Sequence, residues 1–226
     1  MLDKDAATDQ THYRRYEECG FVYGPDGTSR VRPEVELFRD WVPRDARLLD
    51  LGCGDGAVAS RLAEERGARV SGIEIDPAGV EVARSRGVTA IVGDLDEGLP
   101  FADGSFDVAL INVTLHMVYR PRFVLEEALR VAPRVIITFP NFGFWIYRLE
   151  LAWGGRFPRH SLYGYEWYDT RHIHLFSTAD LRDLCSKLGV RVVAERHTGL
   201  KNRKPSSIAR LWPNLLGRIT AVMVER

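Results

Sequence analysis

The sequence predicts an α/β protein: a mostly parallel sheet with helices on both faces. Two observations carry this. Five short runs rich in Val, Ile and Leu alternate with helical patterns between residues 34 and 140, and parallel neighbours need such a crossover between them. The first run, Leu48-Leu49-Asp50-Leu51, closes directly on Gly52-Cys53-Gly54-Asp55-Gly56, which reads as a buried strand, a tight turn and a helix start.

Taken in order, strands are expected at Arg47–Leu51, Val70–Ile75, Thr89–Val92, Asp107–Asn112, Val135–Phe139, Val190–Glu195 and Ile219–Val224. Helices are expected at Glu34–Trp41, Val58–Arg66, Pro77–Arg86, Pro121–Arg130 and Thr178–Leu188. Asp76 before Pro77 suits a helix cap, because Pro fits the first helical turn. Ser177-Thr178-Ala179-Asp180 reads as another helix start, stopped by Gly189. The last two strands are joined by 198–217, which holds two prolines and the basic cluster Lys201, Arg203 and Lys204; an antiparallel pair with a long loop suits them. Segment 141–176 breaks the alternation. It holds 11 of the 23 aromatic residues in 36 positions, too dense for a plain crossover, so an inserted subdomain or lid is expected there. The domain plan is therefore an aromatic N-terminal extension over 1–32, a further lid candidate, and one domain over 33–226.

Composition narrows the partners. The chain has 226 residues and is 45% hydrophobic, enough for a packed core. Thirty-one basic residues balance 31 acidic ones, so no global charge favours nucleic acid or an anionic membrane. No apolar span or secretory leader is visible, and a cytoplasmic location is expected. Cys19, Cys53 and Cys185 fit neither a disulfide framework nor paired zinc spacing, and are expected to be free thiols.

The glycine turn points to a nucleoside cofactor. Glycine permits both a left-handed backbone and close approach of a ligand. Glu74, 24 residues after Asp50 at the second strand's tip, is placed to accept hydrogen bonds from a ribose. A dinucleotide fingerprint reads Gly-x-Gly-x-x-Gly and sets a pyrophosphate on the helix start; here the spacing is Gly52-x-Gly54-x-Gly56, preceded by Asp50. That acid would repel phosphate and suits a cationic amino-acid moiety, which favours S-adenosylmethionine over NAD. Asp94 after the third strand is placed to accept from an adenine amine, with Ile75 and Leu95 against the ring. The expected cofactor set is Asp50, Gly52, Cys53, Gly54, Gly56, Glu74, Ile75, Asp94, Leu95 and Asn112.

This ordered series resembles class I S-adenosylmethionine-dependent methyltransferases, Rossmann-like enzymes with a seven-stranded sheet whose last two strands form an antiparallel hairpin. Further runs resemble the MetW family: Gly93-Asp94-Leu95-Asp96-Glu97-Gly98-Leu99, Phe139-Pro140-Asn141-Phe142-Gly143, Glu166-Trp167-Tyr168-Asp169-Thr170 with Ile173-His174-Leu175, and Trp212-Pro213-Asn214-Leu215-Leu216. The resemblance implies S-adenosylmethionine as cofactor, S-adenosylhomocysteine as product, a link to methionine biosynthesis, and homoserine O-acetyltransferase as a partner. It leaves two roles open: a methyltransferase acting on a small polar metabolite, or a cofactor-binding, non-catalytic regulatory partner of the acetyltransferase. A homodimer is also left open.

Methyl transfer from a sulfonium needs positioning and sometimes a base. The acceptor is expected beyond the fourth strand, where Asn112 stands at the tip and His116 follows. His116 is either a general base or a packing histidine in contact with the cofactor. In Arg171-His172-Ile173-His174 His172 is expected nearer the pocket and His174 in a hydrogen-bonded structural role; no metal is expected. Tyr165, Trp167 and Tyr168 wall an acceptor site or form the insertion's core. The catalytic candidates are His116, Asn112, Tyr168 and His172.

Overall fold

The computed structural model describes residues 34–158, 167–168, 170, 172–199 and 205–226. Seven strands form one sheet: β1 (Arg47–Leu51), β2 (Arg69–Glu74), β3 (Thr89–Val92), β4 (Val108–Asn112), β5 (Arg134–Pro140), β6 (Arg191–His197) and β7 (Ile219–Glu225). Their spatial order is β3-β2-β1-β4-β5-β7-β6. β1 to β5 pair in parallel, whereas β7 is antiparallel to both β5 and β6. The expected class I methyltransferase architecture is therefore present, including its antiparallel final strands. The strand order reverses at β1, so the carboxyl ends of β1 and β4 form the topological switch point, the place where ligands bind in open α/β sheets.

Alternation along the central strands divides the core. Leu49, Leu51, Ile73, Ile111 and Ile137 belong to one buried cluster, while Leu48, Val70, Leu110 and Ile136 belong to the other. Helices cover both: α1 (Val35–Phe38), α2 (Ala57–Arg66), α3 (Pro77–Ser85), α4 (Pro121–Val131), α5 (Trp145–Gly154), α6 (Thr178–Lys187) and α7 (Pro213–Leu216). Asp76 caps α3 by accepting from the Ala78 N–H at 2.9 Å, and Ser177 and Asp180 form a reciprocal capping box on α6.

Several expectations are corrected. The helix expected over Glu34–Trp41 is α1 followed by a 3₁₀ turn, Arg39–Trp41. β6 runs past Glu195 to His197 and carries an irregularity between Val192 and Ala194. The aromatic segment after β5 opens with α5, whose WIYRLELAWG sequence is apolar around most of its circumference and so gives no amphipathic stripe to read. Trp153 is 83% exposed. Cys53 and Cys185 are buried free thiols, as expected. Cys19, the 1–32 extension, Tyr165 and the Lys201–Lys204 cluster lie outside the described residues. Among those described, no helix is long and apolar enough to cross a membrane.

Two of the signature runs meet. Asn141, fully buried, donates through its amide to the carbonyls of Asn214 (3.2 Å) and Gly217 (2.7 Å). Its Oδ1 accepts from the Gly143 N–H at 3.0 Å and the Thr178 N–H at 3.1 Å. One side chain thus pins the end of β5, the start of α6 and α7 together. Gly143 permits this: a Cβ there would lie 2.7 Å from Asn214 Oδ1 and 2.9 Å from its carbonyl oxygen.

Candidate functional site

Register places four residues in one row across the carboxyl edge. Leu51 pairs with Ile73 and Asp50 with Leu110; Gly52, just past β1, donates its N–H to the Ile73 carbonyl at 2.8 Å, next to Glu74 at the end of β2. Asn112 in turn pairs with Thr138. The period of two places Glu74, Asp50, Asn112 and Thr138 on the same sheet face as Val70, Leu48, Leu110 and Ile136. A buried acid, a side-chain-free position, an amide and a hydroxyl therefore stand side by side.

The turn after β1 is shaped by three left-handed glycines with different roles. Gly52 has φ +77°, and a Cβ would fall 2.6 Å from the Thr114 methyl, so its bareness admits the loop after β4. Gly56 has φ +74°, and a Cβ would meet the Ala83 backbone at 2.9 Å, so it admits α3. Gly54 has φ +55°, yet none of the described residues lies within 4 Å of where its Cβ would be.

Glu74 is 7% exposed. One carboxylate oxygen accepts from the Gly54 N–H at 2.9 Å, the other from the N–H groups of Ile75 (3.0 Å) and Asp76 (3.1 Å). Burial nevertheless pushes its pKa above the ordinary glutamate value, outweighing those bonds. The helix cap is therefore Asp76, leaving Glu74 to brace the glycine turn. Asp50 is 1% exposed and lies two residues before Gly52. Asp94 caps a 3₁₀ turn by accepting from the Asp96 N–H at 2.8 Å, while the Leu95 side chain is buried in the core and Ile75 is half-buried. The Cys53 thiol packs in the core, 2.6 Å from where a Gly72 Cβ would be, and burial pushes its pKa up.

The acceptor-side candidates divide. His116 is fully buried, and its ring meets that of His172 edge to face, with centroids 4.3 Å apart. Phe142 lies edge-on to His172 at 6.1 Å. The His116 carbonyl accepts from Ile173 (2.9 Å) and His174 (3.0 Å) N–H groups, which docks the 172–174 segment on the loop after β4. His174 Nε2 lies 3.3 Å from the Tyr119 carbonyl, a structural contact, and His172 stands against His116. Tyr168 is 70% exposed, with its ring against Trp167 at 5.6 Å; among the described residues, that is its one aromatic contact. No group of three or more His, Cys, Asp or Glu side chains among the described residues could hold a metal.

Three features escaped the sequence reading. Thr138 donates its hydroxyl to Asn112 Oδ1. Val113, β-branched, sits at φ +57°, a conformation that costs free energy and concentrates at functional sites. Asp96 accepts from the N–H groups of Tyr119 (2.8 Å) and Arg120 (2.7 Å), tying the loop after β3 to the start of α4. Thr138 reads simply as a strand former in an apolar run, and no residue signal marks Val113.

Comparison with known proteins bears on family and fold. The family described as "Methionine biosynthesis protein MetW" matches residues 32–224. The chain is 32% identical over 167 residues to the bifunctional methionine biosynthesis protein MetXA/MetW of Rhodopirellula baltica, covering 70% of this chain and 27% of that protein. It is 37% identical over 122 residues to the ribosomal protein L11 methyltransferase of Burkholderia mallei, covering 53% and 40%. The chain thus spans well under half the length of these two curated relatives. Among solved structures, a SAM-dependent methyltransferase of Thermotoga maritima, described as a possible histamine N-methyltransferase, superposes with TM-score 0.62 at 21% identity over 96% of this chain and 95% of that one. A chain of the complex between the Haloferax volcanii Trm112 methyltransferase activator and the putative methyltransferase gives TM-score 0.63 at 16% identity, covering 97% of each. At these identities the structural likeness speaks to fold.

Proposed function

The chain belongs to the MetW family, and on that footing we propose that it is an S-adenosylmethionine-dependent methyltransferase acting on a small polar metabolite. The observation that carries this is the open space over Gly54, whose N–H is held by the buried Glu74 carboxylate. A Cβ at Gly54 would fill a cradle that the described residues leave empty, while Cβ atoms at Gly52 and Gly56 would strike protein atoms. The residues fit a nucleoside.

In this reading Glu74 accepts from the ribose hydroxyls, Asp94 from the adenine amine, and Ile75 and Leu95 bound the ring. Asp50 faces the cationic amino-acid end, and Asn112 stands at the boundary with the acceptor. The chemistry the cofactor supplies when bound is a methyl group on a sulfonium, already activated for transfer. The chain's part is then to orient the acceptor, exclude water and hold a proton where needed. His116 and His172 are the groups for the last task, because their rings touch in the wall beyond β4. Tyr168 has an acceptor-side role here only if the acceptor reaches the exposed surface.

Calorimetry with S-adenosylmethionine, S-adenosylhomocysteine and NAD tests the reading: both sulfur nucleosides should bind and NAD should not. NAD binding with no response to either nucleoside overturns it. A second reading is favoured by one observation, the relative that carries MetXA and MetW in one polypeptide: the protein serves as a non-catalytic regulatory partner of homoserine O-acetyltransferase. Release of S-adenosylhomocysteine in the presence of candidate metabolites supports the enzyme. No release, together with co-elution with the acetyltransferase and a raised acetyltransferase rate, supports the partner.

A further inference from the structure

We propose that Thr138 is a positioning residue that turns the Asn112 amide so that its NH₂ group donates to the carboxylate of the bound nucleoside's amino-acid moiety. The inference rests on the nucleoside-binding reading above. Thr138 is fully buried on β5 and lies level with Asn112 in the parallel pairing. Its hydroxyl is used in both directions. It accepts from the Val113 N–H at 3.1 Å, and it donates its proton to Asn112 Oδ1. The amide oxygen is thereby claimed by the protein, so the amide must present its other end, Nδ2, elsewhere. That nitrogen donates to none of the described residues, although Asn112 is only 9% exposed. A side-chain amide this enclosed ordinarily has its hydrogen-bonding capacity met, and its place in the row beside Gly52 puts it at the edge of the cradle. Asp50, on the same sheet face, is an acid suited to the amino group of the moiety; a neutral NH₂ donor nearby suits its carboxylate.

The same hydroxyl steadies the strained Val113. The Val113 N–H is also bonded to the Thr138 main-chain carbonyl at 3.0 Å, so removing the hydroxyl leaves the backbone satisfied and the turn able to form. Thr138→Val is therefore a clean test, since Val keeps the branched shape. Binding is measured by calorimetry for two probes: S-adenosylhomocysteine, which carries the amino-acid moiety, and 5′-methylthioadenosine, which lacks it.

Thr138→Val should weaken S-adenosylhomocysteine by about tenfold and leave 5′-methylthioadenosine unchanged, and Thr138→Ser should restore the first. Asn112→Asp, which keeps the oxygen facing Thr138 and replaces the donor, should show the same selective loss without touching Thr138. It decides the matter if Thr138→Val does not fold. Equal loss for both probes, or no loss for either in a folded variant, overturns the inference. If the wild-type protein binds neither probe, the nucleoside reading itself has failed, a different result from a wild type that binds both and a variant that binds both equally well.

Discussion

Replacing Gly54 by Ala separates the cradle's role from its backbone strain. At φ +55° an added Cβ meets no atom of the described residues within 4 Å, so the penalty to folding is that of the left-handed conformation, about 1–2 kcal/mol. For a domain of this size that corresponds to a melting point lower by roughly 2–8 °C. Gly87 offers a matched control: it has φ +82° and equally empty surroundings, but it lies at the far end of α3. Gly87→Ala should destabilise about as much and leave cofactor binding intact. Gly54→Ala should lose affinity for S-adenosylhomocysteine by about ten- to a hundredfold, the effect of forcing a methyl into an occupied contact worth about 1–3 kcal/mol. Gly56→Ala should do the reverse. Its Cβ meets the Ala83 backbone at 2.9 Å and Val88 at 3.1 Å, so strain and overpacking together should cost about 2–5 kcal/mol of stability while the folded fraction binds normally. Thermal melts and calorimetry on the three variants read both quantities. Wild-type affinity in Gly54→Ala, or equal affinity loss in Gly87→Ala, would show that the open space over the turn is not where the nucleoside lies.

Glu74→Gln should weaken S-adenosylhomocysteine, and the pH dependence of unfolding should identify the group. Its folded pKa is raised by burial, so its stabilising contribution is complete below the ordinary glutamate pKa and is lost as pH rises through the raised one. The variant should therefore gain stability relative to wild type as pH rises through that range, by thermal melts, whereas wild-type affinity for the ribose should fall as pH drops through it. Asn141→Ala should lower stability by roughly 3 kcal/mol or more, because buried carbonyls and N–H groups lose their partner; a melt unchanged from wild type would contradict the node described for this residue. His116→Asn should slow methyl transfer in a product assay while sparing S-adenosylhomocysteine affinity if the ring serves as base, and should alter neither if it only packs.

The central strands were readable because their signals are local. Leu48–Gly56 announces strand and turn within nine residues, and Asp76-Pro77 announces a cap within two. Glu74 stands at the end of β2, where its distance from Asp50 places it, since a crossover of fixed type spaces two strand tips predictably. What escaped depends on contacts far apart in the chain. Asn141 finds its partners at Asn214 and Gly217, so the Phe-Pro-Asn-Phe-Gly and Trp-Pro-Asn-Leu-Leu runs look like separate signatures until the fold brings them together. α5 was hidden for another reason: a helix apolar on most sides has no period that separates it from a buried or inserted segment.

Buried polar groups crowd the carboxyl ends of β1, β2, β4 and β5. Away from the tips, central strand positions face a core cluster on either side, and Leu, Val and Ile fill them. At the tips the residues are polar yet still buried: Asp50 is 1%, Glu74 7% and Asn112 9% exposed. Glu74 holds a carboxylate in surroundings that raise its pKa, Val113 holds a left-handed backbone against its β-branch, and Asn112 keeps a donor that no described residue takes. Each is unfavourable for folding by itself, and each lies on one row or next to it. Three such departures in one place are improbable as accidents of packing. A ligand that donates to Glu74 and accepts from Asn112 would relieve two of them at once, so its binding should stabilise the whole carboxyl edge and raise the melting temperature in proportion to its concentration above Kd. If S-adenosylhomocysteine binds yet leaves the melting temperature unchanged at a hundredfold excess over Kd, its site lies elsewhere than this row or it binds the unfolded chain as well.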